Sequence, residues 1–175
     1  MLASKKRETK ETSIEVSVDP EGSGKVEIET GIEMLDEILF AFAVGARFDL
    51  AVKARGDRET GDHHTTEDVG ITLGRALGEV IKRGIGSSIV PSGQAVAQVA
   101  VRFGEPGFRS QFQLQNKELG GMMLENFSHL LRTLATSANF TLAVSADGGD
   151  DKSKIDAMCT ALGRAVRRAI GDEKN

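Results

Sequence analysis

Two adjacent histidines inside a run of carboxylates are the residues of this chain best suited to chemistry. The segment Asp62-His63-His64-Thr65-Thr66-Glu67-Asp68 contains two of the three histidines among 175 residues. On a helix, His63 and His64 precede Glu67 by four and three positions, so the three side chains converge on one face. This spacing predicts a partial shell for a transition metal such as Mn, Fe, Co or Zn. The alternative is a solvated helix start that Asp62 caps, with acids favoured by the helix dipole, but capping needs no paired histidines.

The remaining histidine and the cysteine carry less information. His129 is a single histidine on a predicted amphipathic helix, which favours a structural role. Cys159 is the one cysteine, so it forms no internal disulfide, and its helical context is typical of a small apolar side chain. A lone, unpaired cysteine fits a reducing compartment, and we therefore expect a cytoplasmic protein.

The composition excludes several classes of function. Hydrophobic residues make up 39% and charged residues 27% of the chain, as in an ordinary soluble domain. The net charge of −4 and the absence of a dominant basic patch argue against nucleic-acid binding. The sequence shows no apolar run of membrane-spanning length and no signal-peptide core. We therefore expect neither nucleic acid nor a membrane as partner.

Hydrophobic periodicity predicts the order strand, strand, helix, strand, helix, repeated twice. In each half the first two strands are predicted to form a hairpin around a Gly-containing turn. The first half is predicted as strands 13–18 and 25–30, helix 32–44, strand 48–52 and a helix from 66 to about 84. The second half is predicted as strands 95–103 and 108–114, a helix near 121–136, strand 139–146 and helix 152–170.

Short motifs recur in the same order in both halves. Leu73-Gly74-Arg75-Ala76-Leu77 returns 89 positions later as Leu162-Gly163-Arg164-Ala165-Val166, and Leu50-Ala51-Val52 returns as Leu142-Ala143-Val144. Met34-Leu35-Asp36 likewise resembles Met123-Leu124-Glu125. The sequence therefore predicts one α+β domain over 1–175 built from two half-repeats, 12–87 and 88–172. We expect two four-stranded sheets packed with helices about a pseudo-twofold axis.

The duplication predicts that the metal motif survives in one half only. At the offset of 89, His63, His64 and Glu67 correspond to Lys152, Ser153 and Asp156. A lysine ammonium is a donor without a lone pair for a metal. The second position is therefore predicted to be closed to metal.

Five segments of the chain form a recognisable set: Arg7-x-Thr9-x-Glu11-Thr12, Thr30-Gly31-Ile32-x-Met34-Leu35-Asp36, Phe48-Asp49-Leu50, Gly56-Asp57 and Asp62-His63-His64-Thr65-x-Glu67-Asp68 with the helix that follows it. Together these segments resemble imidazoleglycerol-phosphate dehydratases. The resemblance implies a duplicated α+β fold and a homo-oligomer built from trimers. It also implies two Mn ions that bind the substrate imidazole between subunits, and dehydration of imidazoleglycerol phosphate to imidazoleacetol phosphate in histidine biosynthesis. His63, His64 and Glu67 match metal ligands of that family, and Glu11 matches a glutamate lining its site.

Other functional positions of the family are substituted. Family histidines are replaced at Glu37, Val44, Asn126, Lys152 and Ser153, and an acid–base aspartate is replaced at Gly93. Phosphate-binding cations are replaced near Gly86-Ser87, at Glu105 and at Thr160, with Arg102 and Arg109 as nearby substitutes. A phosphate relies on Arg and Lys donors, so the residues that hold substrate phosphate stay unassigned.

Three hypotheses follow from this pattern. In the first, the chain is a diverged paralogue with an incomplete metal and phosphate site, holding one Mn more readily than two. In the second, it is an active dehydratase whose shell is rebuilt with oxygen donors, Glu37 and Asp156 foremost, with Asp150 and Asp151 nearby. In the third, it is a non-catalytic structural or binding subunit.

Overall fold

The computed structural model describes residues 1–56, 59 and 61–173. Its first half contains β1 (Ala3–Glu8), β2 (Thr12–Asp19), β3 (Val26–Glu29), α1 (Glu33–Ala46), β4 (Asp49–Gly56) and α2 (His63–Val80). Its second half contains β5 (Gly84–Ser92), β6 (Ala95–Phe103), β7 (Gly107–Gln111), β8 (Glu118–Leu119), β9 (Met122–Met123), α3 (Glu125–Ala138), β10 (Phe140–Asp147) and α4 (Asp151–Glu173).

The predicted α+β fold with two four-stranded sheets is confirmed. The strand orders are β1-β2-β4-β3 and β5-β6-β10-β7, so each sheet is assembled from one half of the chain. Because β5 begins at Gly84 and pairs with β6, the sheets divide the chain between α2 and β5 and not at residue 88.

Both predicted hairpins are wrong. β4 lies between β2 and β3, antiparallel to the first and parallel to the second, and β10 separates β6 from β7 in the same way. The turn before β3 is tied to β4, because the Asp49 carboxylate accepts hydrogen bonds of 2.7 Å from the N–H groups of Gly24 and Lys25. Alternating hydrophobicity predicts that a segment is a strand but does not identify its neighbour.

Each sheet begins with a strand that the hydrophobic pattern did not predict. β1 carries mostly polar side chains, and only Ala3 is buried. β5 contains glycines and serines, and Gly86 leaves no room for a Cβ against the carbonyl oxygen of Ala165 on α4. Small side chains are required there because α4 packs closely on the strand.

The four helices form a layer between the sheets. α1 packs against α4, and α2 packs against α3, as expected for two halves related by a pseudo-twofold axis. The inner faces of both sheets and the helices share one apolar core. None of the helices within the described residues has the length and apolarity needed to span a membrane.

The two halves correspond at different offsets in the two helix pairs. The buried positions of α2 recur 89 residues later in α4, as the repeated motif predicts. The bounds and buried face of α1 recur 92 residues later in α3, so the predicted match of Met34-Leu35-Asp36 with Met123-Leu124-Glu125 is wrong by three positions. Residues 57–62 separate β4 from α2, whereas only 148–150 separate β10 from α4, which accounts for the difference. Asn126 and His129 therefore correspond to Met34 and Glu37.

Candidate metal-binding site

Asp62 connects the start of α2 to the second half of the chain. Its buried carboxylate accepts hydrogen bonds from the Thr66 hydroxyl, the Met123 N–H and the Asn126 side-chain amide, each 3.0 Å long. It makes no side-chain hydrogen bond to the helix backbone, so the capping interpretation is wrong for this residue. These bonds hold the first turn of α2, which carries the paired histidines, against α3.

His63 lies at the centre of a cluster contributed by α2 and α3. Its Nε2 is 3.6 Å from a carboxylate oxygen of Glu67, one turn later, and its Nδ1 is 3.1 Å from Oδ1 of Asn126. Its ring is 5.7 Å from that of His64 and 6.3 Å from that of His129, perpendicular to the latter. Sequence reasoning gave His129 no functional place, although its spacing of three residues from Asn126 puts both on one face of α3.

His64 faces Glu11 from the turn between β1 and β2. Its Nδ1 is 3.2 Å from Oε2 of Glu11, a distance typical of an ion pair. The geometry is not that of a hydrogen bond, and this buried Nδ1 has no hydrogen-bond partner among the described residues. A buried imidazole nitrogen without a partner is costly, and a metal or a proton donor arriving beside it would satisfy it.

The turn that carries Glu11 is held in place by its neighbours. The Thr9 hydroxyl accepts hydrogen bonds from the N–H groups of Glu11 and Thr12, at 3.1 and 3.0 Å. Arg7 Nε donates to Asp68 on α2 at 2.9 Å, and the Thr12 hydroxyl donates to the same carboxylate. The segment Arg7-x-Thr9-x-Glu11-Thr12 therefore fastens the turn to α2 and brings Glu11 to His64.

These residues fit part of a metal shell. Within the described ranges, no three His, Cys, Asp or Glu side chains converge closely enough to hold an ion. His63 with Glu67 and His64 with Glu11 instead form two neighbouring nitrogen–oxygen pairs. Imidazole and carboxylate are suitable donors for Mn, Fe, Co and Zn, and the His64 Nδ1 is not engaged in a hydrogen bond with the described residues.

Glu37 and Asp156, the candidate oxygen donors, lie at the second-half counterpart of this cluster. They line a cavity of about 240 Å³ between α1 and α4, together with Lys152 and Ser153. Lys152 Nζ is 3.8 Å from Glu37 Oε2, and the Ser92 hydroxyl donates to Asp156 at 2.7 Å. An ammonium and hydroxyls therefore stand where the first half has imidazoles, and this donor set does not fit a metal.

The other predicted positions are placed as follows. A Cβ added to Gly93 would lie 3.1 Å from Ser153 Oγ, so the β5–β6 turn faces α4 as the Glu11 turn faces α2. Burial opposes ionisation of Asp151, but the N–H groups of Asn116 and Gln115 outweigh it and lower its pKa. The Asp151 carboxylate thus holds the loop before β8 in place through these hydrogen bonds. Asp57, in the Gly56-Asp57 segment, lies outside the described residues.

The two arginines suggested as phosphate ligands lie away from the helices. Arg102 and Arg109 are exposed on the outer face of the second sheet, and Arg102 is 3.7 Å from Glu105. The neighbouring Phe108 points inward, beneath Arg132 of α3 at 5.3 Å. Neither arginine therefore faces the His63 cluster of its own chain.

Comparison with known proteins gives one consistent match. A family model described as imidazoleglycerol-phosphate dehydratase matches residues 30–166. A protein of that name from Methanopyrus kandleri is 40% identical over 180 residues, covering 95% of this chain and 90% of the relative. The crystal structure of the Staphylococcus aureus N315 dehydratase has a TM-score of 0.85 at 27% identity, covering 97% of this chain and 98% of the other. The Pyrococcus furiosus structure, in complex with (S)-C348, has a TM-score of 0.80 at 30% identity, covering 94% and 92%.

Proposed function

The chain belongs to the imidazoleglycerol-phosphate dehydratase family, and we propose that it is a diverged member with one metal site in place of two. The family reaction dehydrates imidazoleglycerol phosphate in histidine biosynthesis, so an imidazole phosphate is the proposed class of ligand. The cytoplasm, where biosynthetic enzymes of this kind work, is the proposed compartment. One observation carries the proposal: Lys152 and Ser153 stand where His63 and His64 stand in the first half.

His63, His64 and Glu67 are the proposed ligands of the single metal. The remaining ligands are water, substrate or groups of a second copy, because one chain does not complete a shell within its described residues. A bound Mn would act as a Lewis acid that accepts the lone pair of a substrate imidazole nitrogen. Glu11, 3.2 Å from His64, is the proposed acid–base carboxylate because it is already held next to the ligands.

The second-half cavity is proposed to hold no metal. Lys152 supplies a positive charge there and forms an ion pair with Glu37, so the Glu37 carboxylate is already occupied by a cation. Asp156 is engaged by the Ser92 hydroxyl. A divalent ion entering this cavity would meet the ammonium and only oxygen donors, which hold Mn more weakly than imidazoles do.

Metal content measured together with turnover tests this proposal. The protein is dialysed against Mn, and bound metal per subunit is measured by mass spectrometry beside turnover of imidazoleglycerol phosphate. We expect one Mn per subunit in the natural chain and none in His63→Ala/His64→Ala. The matched variant Lys152→Ala, altered at the equivalent helix position, is expected to keep one Mn. Lys152→His/Ser153→His/Asp156→Glu restores the first-half donors and is expected to bind a second ion.

The outcomes separate the proposal from an active dehydratase. That alternative is favoured by the name of the Methanopyrus kandleri relative, which is 40% identical to this chain. Two Mn per subunit with turnover would establish the alternative and refute divergence. Binding of no metal would refute both and leave a structural or binding subunit.

We also propose a homo-oligomer built from trimers, as the family resemblance implies. Phe40 and Val44 project from α1 with exposed fractions of 56% and 52%, which is unusual for large apolar side chains on one helix face. Light scattering after size exclusion tests this directly, and a monomeric mass at micromolar concentration would contradict it.

A further inference from the structure

Asn126 lies between a buried carboxylate and a candidate metal ligand. Its side-chain Nδ2 is 3.0 Å from Asp62 Oδ2, and its Oδ1 is 3.1 Å from His63 Nδ1. Asn126 and Asp62 are both buried, with exposed fractions of 5%. His63 is thus linked through one amide to a carboxylate fixed by two further donors, the Thr66 hydroxyl and the Met123 N–H.

The chemistry of these groups determines the direction of each hydrogen bond. A carboxylate only accepts, so Asn126 must turn its NH₂ toward Asp62 and its carbonyl oxygen toward His63. A carbonyl oxygen also only accepts, so the Nδ1 of His63 must carry the proton. In a neutral imidazole the lone pair is then on Nε2, the atom that faces Glu67 at 3.6 Å.

We propose that Asn126 is a positioning residue that holds neutral His63 in the Nδ1–H tautomer and thereby makes Nε2 its metal-binding atom. A ligating histidine that donates its other N–H to a fixed acceptor has a defined ring orientation and a more basic ligand nitrogen. The metal part of this inference rests on the proposed function, whereas the tautomer is a property of the protein without metal.

The adjacent histidine provides an internal contrast. His64 Nδ1 is buried without a hydrogen-bond partner among the described residues, so no amide selects its tautomer. The two neighbouring rings therefore differ. Asn126 of α3 is hydrogen-bonded to the Nδ1 of His63, whereas the Nδ1 of His64 faces the Glu11 carboxylate at 3.2 Å without hydrogen-bond geometry.

Nuclear magnetic resonance of metal-free protein tests the tautomer. Long-range ¹H–¹⁵N correlations are recorded at about pH 8.5, two pH units above the ordinary pKa of histidine. We expect the Nδ1–H pattern for His63 in the natural chain. In Asn126→Ala, the acceptor is lost, and we expect His63 to move toward the Nε2–H form that prevails in free histidine side chains.

Two further variants distinguish positioning from general packing. Asp62→Asn/Asn126→Asp reverses the relay but keeps an acceptor beside His63, so the Nδ1–H form is expected to return. Asn116→Ala is the matched control, because Asn116 Nδ2 donates to the buried Asp151 at 2.8 Å and contacts no histidine in the described structure. It is expected to leave the His63 tautomer unchanged.

Mn titrations of the same proteins test the consequence. Loss of Asn126 is expected to weaken Mn binding by about 10- to 100-fold, as for other groups that orient a metal ligand. The reversed pair is expected to recover most of that loss. An Nε2–H pattern in the natural chain, or an Asn126→Ala variant with unchanged tautomer, overturns the inference. If no Mn binds at all, the proposed function fails, and the tautomer measurement still decides the role of Asn126.

Discussion

Replacing Gly163 by alanine should separate α1 from α4 and destabilise the fold. A Cβ at Gly163 would overlap the Phe42 carbonyl oxygen and lie 2.6 Å from the Ala46 nitrogen. These atoms belong to the backbone of α1, so only a movement of one helix away from the other relieves the overlap. Overpacking of this kind costs about 3 kcal/mol, while alanine recovers about 1 kcal/mol of helix propensity.

The expected net loss is about 2 kcal/mol, which lowers the Tm by roughly 4–8 °C for a chain of this size. Thermal unfolding followed by circular dichroism, at a fixed protein concentration, measures this shift. Gly74→Ala should also destabilise, because its Cβ would lie 2.6 Å from Ser137 Cβ at the related α2–α3 contact. Gly171→Ala is the control on α4: its Cβ would meet nothing within 4 Å, and a small stabilisation is expected. The reasoning fails if Gly163→Ala is as stable as Gly171→Ala.

Three other changes test separate features. Arg167 donates to three backbone carbonyls, two of them at the end of α1. Arg167→Ala should therefore lower the free energy of unfolding by about 2 kcal/mol, and Arg167→Lys should retain only part of that stability. Chemical denaturation measures both differences. The pKa of Asp151 is lowered in the fold, so its stabilising contribution is present above the unfolded pKa of about 3.9 and is lost as pH falls through the folded value. The stability difference between the natural chain and Asp151→Asn, from urea titrations at several pH values, should therefore shrink below about pH 4; a constant difference would contradict this. Burial raises the pKa of the Cys159 thiol, so iodoacetamide should label it only in unfolded protein, and rapid labelling of the native chain would argue against the buried position.

Much of the secondary structure follows from local pattern. The predicted helix 32–44 is observed as Glu33–Ala46, and the predicted strand 139–146 as Phe140–Asp147. In each of these elements the buried positions recur with the period of the structure, about every three to four residues in the helix and every second residue in the strand. The hydrophobic pattern of the sequence therefore reveals them. β1 was missed because most of its residues are polar. β5 was missed because its strand buries the small residues Gly86 and Ser88 and exposes Ile85 and Ile89, an arrangement that depends on the close packing of α4.

The candidate site was predictable only where its residues are neighbours in sequence. The spacing of His63, His64 and Glu67 on α2 needs nothing beyond helix geometry. Glu11 was identified through the family resemblance, and the structure explains it through the turn fastened to α2. His129 and the relay through Asn126 were missed, because they reach His63 from another helix.

The sequence by itself determined the duplication, the family and the loss of the paired histidines in the second half, because each is a matter of residue identity at a repeated spacing. Only the tertiary structure decided that α1 corresponds to α3 at an offset of 92 residues and not 89. The loop before α4 is shorter than the loop before α2, so the offset between equivalent helices differs between α1 and α3 on the one hand and α2 and α4 on the other. The packing of α1 on α4 and of α2 on α3 places Glu37 opposite Lys152 and His129 beside His63. Which side chains share a site depends on packing across the pseudo-twofold axis. No local sequence pattern encodes the distance between side chains on two different helices.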